Sequence, residues 1–474
     1  VGTTRLQVAD PSRPAVGWSD LAGSRVGLWG IRMEGTANLR RLRALGVVPI
    51  LVDDFPQART VDGLPVLEGR AGGLDALARC DIVVKSPGIS RHSPEVSELL
   101  AAGVAVAGGL GLWLHDADRD RIACITGTKG KSTTAALAGH LLGGLGRRCL
   151  VAGNIGVPPW DPDAGDDWDL WVIEVSSYQA TDLAVTTPVV AVTSLAPDHL
   201  DWHGSVDAYY RDKLSLCRQP GARLTVADGS SAELRAREAL LGPKVRWVEE
   251  GDPDLDGPWT DRLGLAGAHH RRDALIARAC LVEMGVDEAL DTARMAVAAA
   301  GFRPLDHRFR PIGTVTGVEF VDDGLSTNVL PTLAALEAID DRPVAVLLGG
   351  QDRGIDYAPL AQALTARGAP TFVATLPAAG ARILAAIEQA VETPDRPRAG
   401  ARRVTPGDPG VMTVAVDDIQ AATRAAFEWA RPLAGVVLLS PAAPSFGQFR
   451  NYEERSAAFA AAMRSCAREA SAPR

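Results

Sequence analysis

The stretch Ile125-Thr126-Gly127-Thr128-Lys129-Gly130-Lys131-Ser132-Thr133-Thr134 constrains this chain more than any other. Arg121-Ile122-Ala123-Cys124 before it is a short apolar run that reads as a buried strand. Ala135-Ala136-Leu137-Ala138-Gly139-His140-Leu141-Leu142 after it reads as a helix. Strand, glycine turn, lysine, hydroxyl and helix, in that order, make a phosphate-binding loop. Gly127 and Gly130 let the backbone approach phosphate oxygens with its N–H groups forward, and the helix N-terminus adds partial positive charge. On this reading Lys131 bridges the outer phosphates, and Ser132 or Thr133 ligates Mg²⁺. The spacing departs from G-x-x-x-x-G-K-[ST], because position 125 is Ile.

Such a loop belongs to a parallel sheet, and strands that end in polar loops recur along the chain. Leu170-Trp171-Val172-Ile173 is a strand ending at Glu174, and a carboxylate there lies where α/β sheets bind ligands, well placed to hold Mg²⁺. Cys149-Leu150-Val151-Ala152 leads to Gly153-Asn154-Ile155-Gly156, and Val189-Val190-Ala191-Val192-Thr193 leads to Asp198-His199-Leu200-Asp201-Trp202-His203-Gly204. Alone, His199 suits a structural role; among several strand-end loops of one sheet it becomes a candidate ligand. Residues 274–300 are Ala-rich and read as helices that close this segment.

Upstream, Ser24-Arg25-Val26-Gly27-Leu28-Trp29-Gly30, a helix from Thr36 to Leu45, and Val47-Val48-Pro49-Ile50-Leu51-Val52-Asp53-Asp54 form a βαβ unit with an approximate dinucleotide fingerprint. A third strand, Asp81 to Lys85, ends in Ser86-Pro87-Gly88-Ile89-Ser90. The loops at one edge suggest a nucleotide-derived ligand, with Gly30, Ser86 and Gly88 as candidate contacts. Downstream, Val318 to Asp323, Val344 to Leu348 and Val436 to Ser440 are strands of a further α/β region, entered through Gly301-Phe302-Arg303-Pro304.

The expected fold class is therefore α/β in three domains, in line with a length of 474 residues. These are a Rossmann-like domain over 1–118 for the nucleotide-derived ligand, a central ATPase-type domain over 119–300 with a mostly parallel sheet, and a Rossmann-like domain over 301–474. No apolar run reaches the length of a membrane span, and Val1-Gly2-Thr3-Thr4-Arg5 lacks the apolar core of a signal peptide. The net charge of −9 argues against a polyanionic partner such as nucleic acid. Six scattered cysteines, mostly within apolar segments, read as reduced core residues of a cytoplasmic protein.

Gly127-Thr128-Lys129-Gly130-Lys131-Ser132-Thr133, Gly153-Asn154-Ile155-Gly156, Glu174-Val175-Ser176-Ser177 and His199-Leu200-Asp201, with Lys213 behind, together resemble the Mur ligases. These ATP-dependent enzymes add amino acids to the UDP-muramoyl precursor of peptidoglycan. The resemblance accounts for the missing first glycine, since that family uses the shorter G-x-x-G-K-[ST] turn. It implies catalytic roles for Lys131, Glu174, His199 and Lys213. It also implies two Mg²⁺ ions held with Ser132, Glu174, His199 and a carbamylated Lys213, and a place beside the phosphates for Asn154. Gly127, Thr128, Lys129, Gly130, Ser132 and Thr133 form the ATP loop. His269-His270-Arg271-Arg272-Asp273 stands where the family commonly has H-N-x-x-N; Asp273 accepts hydrogen bonds but, unlike an amide, cannot donate. Arg308 and Asp323 match residues that reach the nucleotide from the last domain, and Ser176 matches a substrate contact.

The carboxy-terminal region resembles the glutamate-adding members of the family. Thr327, Ser445 and Tyr452 match positions lining the amino-acid pocket. Arg353 stands in place of the usual lysine, and its guanidinium suits a bidentate grip on a carboxylate. Leu325 replaces a lysine of the D-glutamate enzymes, and Lys129 stands where they tend to have asparagine. With Lys85-Ser86-Pro87-Gly88, His199 to Gly204 and Gly350-Gln351-Asp352-Arg353-Gly354, this lies nearer the branch that adds L-glutamate and leaves inversion to a separate epimerase. The implied reaction is ligation of L-glutamate to UDP-N-acetylmuramoyl-L-alanine through an acyl phosphate, in the cytoplasm, with hinges near 119 and 301. The D-glutamate ligase and a non-catalytic ATP-binding regulator are the competing readings; folylpolyglutamate synthetase, a more distant ligase, lacks the N-terminal unit.

Overall fold

The computed structural model describes residues 10–265, 267–391 and 410–471. The Val1–Arg5 stretch lies outside them. The chain divides into two compact units: Val1–Gly264 with His270–Phe302, and Leu265–His269 with Arg303–Arg474.

The first unit holds two sheets. Strands β1 (Val26–Trp29), β2 (Ile50–Asp53), β3 (Thr60–Val61), β4 (Leu64–Glu68), β5 (Ile82–Lys85) and β6 (Ala105–Gly108) form one, in the order β3-β4-β2-β1-β5-β6. All neighbours are parallel except the short β3–β4 hairpin. The other sheet contains β7 (Ile122–Thr126), β8 (Cys149–Gly153), β9 (Leu170–Glu174), β10 (Val189–Val192), β11 (Leu224–Asp228) and β12 (Val245–Val248), in the order β12-β11-β10-β7-β9-β8. Every pair in it is parallel. Its central strand β7 is buried at all five residues, because helices cover both faces and no polar alternation is needed. Parallel strands bring every carboxyl end to one edge, and that edge carries the phosphate-type loop. A single apolar cluster runs through both sheets, from Leu28 and Val84 through Leu112 and Trp160 to Ile173 and Val190.

Among its described residues the second unit has one sheet: β13 (Arg310–Val315), β14 (Val318–Asp322), β15 (Val344–Gly350), β16 (Thr371–Ala378), β17 (Val411–Ala415) and β18 (Val436–Leu439), in the order β13-β14-β18-β15-β16-β17. Only β13 and β14 pair antiparallel. Apolar clusters cover its two faces, one around Val346, Leu360 and Ile383, the other around Phe320, Phe427 and Phe459.

The α/β class with parallel-rich sheets agrees with the sequence reading. The strand before the loop is shifted, running over Ile122–Thr126, and the first helix starts earlier, at Met33. Strands β6, β11, β13, β16 and β17 were not anticipated, nor were β12 and the β3–β4 hairpin. Most are short, and short apolar runs do not distinguish strand from helix by periodicity. Among the described residues no helix is long and apolar enough to cross a membrane. Five of the six cysteines are buried, and Cys149 is half-buried.

Candidate active site

The loop between β7 and the helix Lys131–Gly144 wraps against the end of β10. Gly127 has φ +142°, and a Cβ there would lie 2.1 Å from Thr193 Oγ1. Gly130 has φ +88°, and its Cβ would meet Asp273 Oδ1 at 2.5 Å. Both positions demand glycine for conformation and for space. The Thr128 amide donates to the Ser194 carbonyl at 2.9 Å, and the Lys129 amide to Ser194 Oγ at 2.8 Å. Thr128 Oγ1 donates to the Ala196 carbonyl at 3.0 Å and lies 3.0 Å from the Tyr209 hydroxyl. Thr193 Oγ1 donates to the Lys129 carbonyl at 2.5 Å. Ser132 and Thr133 open the helix, both buried.

Three lysines surround this turn. Lys131 Nζ donates to the Thr128 carbonyl at 3.1 Å. Lys129 Nζ pairs with Asp198 Oδ2 at 3.2 Å. Lys213, on the helix Val206–Leu214, is 2% exposed and donates to the Gly127 carbonyl at 3.0 Å. Burial, reinforced by Lys131, holds the Lys213 ammonium well below the ordinary lysine range. Burial opposes ionisation of Asp198, but Lys129 and the His199 ring outweigh it and keep that carboxyl below its usual range.

Glu174 ends β9, 1% exposed. Its Oε1 accepts from Asn154 Nδ2 at 2.8 Å, while its buried Oε2 has no partner among the described residues. Asn154 is also fixed through its amide, which donates to the Glu174 carbonyl at 2.9 Å. His199 takes a left-handed backbone (φ +50°) at the start of the short helix Leu200–His203. Its Nδ1 lies 2.8 Å from the Tyr178 hydroxyl and its Nε2 faces Asp198 at 3.9 Å. Burial lowers its pKa to about 4, leaving a neutral imidazole at physiological pH.

On the β1–β6 side, Ser86 Oγ donates to the Gly30 carbonyl at 2.8 Å, so these two predicted contacts meet. The Gly88 carbonyl accepts from Trp202 Nε1 at 3.4 Å, linking that loop to the His199 loop. Buried Lys85 pairs with Asp182 at 2.6 Å, and Arg91 pairs with its other oxygen at 2.7 Å. Glu34 Oε2 accepts from Gln179 Nε2 at 3.2 Å, and burial raises the Glu34 pKa to about 7. Ser176 caps the helix Ser177–Thr181 through a reciprocal pair with Gln179.

The first unit thus brings together the loop 127–133, Asn154, Glu174, His199, Lys213 and Asp273 at one sheet edge, with Gly30, Ser86, Gly88 and Ser176 on neighbouring loops. Arg308, Asp323, Thr327, Arg353, Ser445 and Tyr452 belong to the second unit. There, buried Asp323 accepts from the Phe309 amide at 3.0 Å, Ser326 Oγ at 2.5 Å and Ser440 Oγ at 2.7 Å. Burial raises its pKa to about 6. Its three donors make it a hub joining loops. Ser445 is buried, Thr327 and Arg308 are half-buried, and Arg353 is exposed. Half-buried Tyr452 starts the helix Tyr452–Ser471, its ring 5.7 Å from His307. Arg455, on that helix and 1% exposed, donates to the carbonyls of Ala443 at 3.0 Å and Gly324 at 2.9 Å.

The sequence reading passed over Tyr178, Thr193, Ser194, Tyr209 and Arg455. Tyr178 carried a signal, since it directly follows the Glu174-Val175-Ser176-Ser177 motif. The others act through contacts 12 to 131 residues apart in sequence, which local pattern does not encode.

Residues 125–245 match the model of the Mur ligase middle domain. The UDP-N-acetylmuramoyl-L-alanine–L-glutamate ligase of a Micromonospora strain is 40% identical over 95% of this chain and 98% of its own length. The chain belongs to the Mur ligase family. A ligase of the same name from Salinispora tropica is 39% identical over 95% of this chain and 99% of its own. Among solved Mur ligases, the fold is similar to that of MurF from Acinetobacter baumannii (TM-score 0.57, 15% identity, 92% of this chain and 90% of that one). MurF from Thermotoga maritima, solved in complex with ADP, is also similar (TM-score 0.51, 14% identity, 98% of this chain and 100% of that one). The Mur ligase middle-domain match runs from the end of β7 to the start of β12, a span that holds the loop 127–133, Glu174, His199 and Lys213.

Proposed function

We propose that this chain ligates L-glutamate to UDP-N-acetylmuramoyl-L-alanine with cleavage of ATP, a step of peptidoglycan precursor synthesis. The observation that carries the reading is the likeness, along nearly the whole chain, to ligases of that name. The site supports it chemically. A turn whose backbone N–H groups precede a helix, ringed by Lys129, Lys131 and Lys213, suits a triphosphate. Gly127, Thr128, Lys129, Gly130, Ser132 and Thr133 form its cradle, with Asn154 beside it and Asp273 toward the base; Arg308 and Asp323 are assigned to ATP by the family resemblance.

The donor set also fits Mg²⁺. Glu174 offers a buried carboxylate oxygen without a partner, Ser132 a hydroxyl, and His199 a neutral imidazole. The family's second Mg²⁺ calls for a carbamylated Lys213. Its depressed pKa favours the neutral amine, which adds to CO₂ and loses a proton to give an oxygen-donating carbamate. When bound, Mg²⁺ would neutralise charge on the phosphate oxygens.

Lys131 stabilises the charge that develops as a carboxylate oxygen of the muramoyl-alanine attacks the γ-phosphorus and the bond to ADP breaks. The glutamate amine then attacks the acyl-phosphate carbon. The tetrahedral intermediate expels inorganic phosphate and the nitrogen loses a proton. No side chain acts as nucleophile; the protein positions and neutralises. Gly30, Ser86, Gly88 and Ser176 are assigned to the UDP-linked substrate. Thr327, Arg353, Ser445 and Tyr452 are assigned to glutamate, Arg353 gripping a carboxylate. The domain limits 1–118, 119–300 and 301–474, a cytoplasmic location and a downstream epimerase that inverts the added glutamate belong to the same reading.

The test is phosphate release measured with UDP-N-acetylmuramoyl-L-alanine, ATP and either glutamate enantiomer. Release that requires both the nucleotide substrate and L-glutamate is expected. Preference for D-glutamate would assign the chain to the other branch, and ATP binding without turnover would make it a regulator.

A further inference from the structure

We infer that His92, His203 and Asp212 form a binding site for a zinc-class divalent cation, separate from the proposed Mg²⁺ ligands. His92 Nε2 lies 2.9 Å from Asp212 Oδ2, and His203 Nδ1 lies 2.7 Å from the same oxygen. The three donor atoms fall within 4.8 Å of one another. The far nitrogen of His203, Nε2, is 3.0 Å from Ser177 Oγ. That is the outer partner a ligating histidine needs: with Nε2–H donated to the serine, Nδ1 is left with its lone pair toward the ion. The His203 ring is fully buried and held by Tyr178, Trp202 and Tyr209, with centroids at 5.7, 4.4 and 5.1 Å. Its orientation is therefore set by packing.

Two imidazole nitrogens against one carboxylate oxygen are a zinc-type donor set, whereas Mg²⁺ favours a shell in which oxygens predominate. Tetrahedral bonds of about 2.0–2.1 Å put donor atoms roughly 3.3 Å apart, so each histidine–aspartate pair would open by about half an ångström. His92 can make that movement, because its side chain is 52% exposed; the same exposure leaves a fourth position for water.

The site joins the two sheets of the first unit. His92 follows β5 in the loop before the helix Pro94–Ala101, whereas His203 and Asp212 follow β10. Asp212 immediately precedes Lys213, and Trp202, beside His203, holds the Gly88 carbonyl. A bound ion would fasten the Ser86–His92 loop to the helix that carries Lys213.

The test uses the full chain, treated with chelator and free of nucleotide. Zinc chloride is titrated in by calorimetry, and cobalt(II) is added separately to read its visible absorption. Expected are one zinc per chain, intense cobalt bands of a four-coordinate site, and persistence in millimolar Mg²⁺. His92→Ala and Asp212→Asn should each weaken zinc binding tenfold or more; exposed His92 keeps the test valid if Asp212→Asn folds poorly. No zinc binding by the wild-type chain overturns the inference and leaves the trio a hydrogen-bonded latch. Zinc binding undiminished in His92→Ala overturns it too, placing the ion elsewhere.

Discussion

Replacing Glu174 by Gln separates the needs of the fold from those of the proposed chemistry. The carboxylate is 1% exposed, with one oxygen held by Asn154 at 2.8 Å and the other unpartnered. A buried polar atom without a partner costs about 1–3 kcal/mol, and more when charged. Glutamine keeps the shape and the Asn154 contact through its carbonyl oxygen, and it removes the charge. It leaves an unpaired amide donor in the place of the oxygen, so only part of the cost is recovered. A net gain of about 1 kcal/mol is expected, which is roughly 2–4 °C in melting temperature for a domain of 150–250 residues. The same change removes an anionic ligand of Mg²⁺, and loss of such an electrostatic contact costs about 10²–10³ in kcat. The assay is a pair of measurements, thermal unfolding in chelator and turnover across a Mg²⁺ titration. A variant that is more stable without metal and catalytically crippled fits the reasoning. A variant destabilised by more than about 1 kcal/mol, or one with wild-type Mg²⁺ activation, would refute it.

Tyr178→Phe removes the 2.8 Å contact to His199 Nδ1 while keeping the ring, so the Mg²⁺ concentration for half-maximal activity should rise about tenfold with little change in melting temperature. Direct Mn²⁺ binding checks this without relying on turnover. Glu34→Gln tests a pH effect. Its folded pKa of about 7 lies above the ordinary 4.5, so the wild-type chain loses stability as pH rises from 4.5 through 7. The variant should gain up to about 3 kcal/mol at pH 8 and nothing near pH 4.5, read from urea unfolding at both values. Arg455→Ala leaves the carbonyls of Ala443 and Gly324 without their buried donor, and about 3–5 kcal/mol of stability should be lost from the second unit in denaturant melts.

The strand–turn–helix at Gly127–Ser132 was legible because one short stretch encodes both backbone freedom and charge. Glu174 at the end of one strand and His199 in the loop after another were legible once the strands were recognised, since parallel topology gathers those ends at one edge. Less was readable where a residue's surroundings come from far along the chain. Asp323 was read as a nucleotide contact, and nothing local announced that Phe309 and Ser440 converge on it. Ser176 was read as a substrate contact, yet the S-x-x-Q spacing with Gln179 also spelled a capping box. Lys85 and Asp182 are 97 residues apart and meet only because the two sheets pack together. Strands such as β6 and β17 were missed for a different reason, since short apolar runs fit strand and helix alike.

The most direct test of the central claim follows oxygen through the reaction. UDP-N-acetylmuramoyl-L-alanine labelled with ¹⁸O in its terminal carboxylate is turned over with ATP, Mg²⁺ and L-glutamate, and the released phosphate is analysed by mass. Attack of that carboxylate on the γ-phosphorus predicts one ¹⁸O in each phosphate and the other in the new amide. Unlabelled phosphate accompanying ligated product would contradict the acyl-phosphate mechanism assigned to this site.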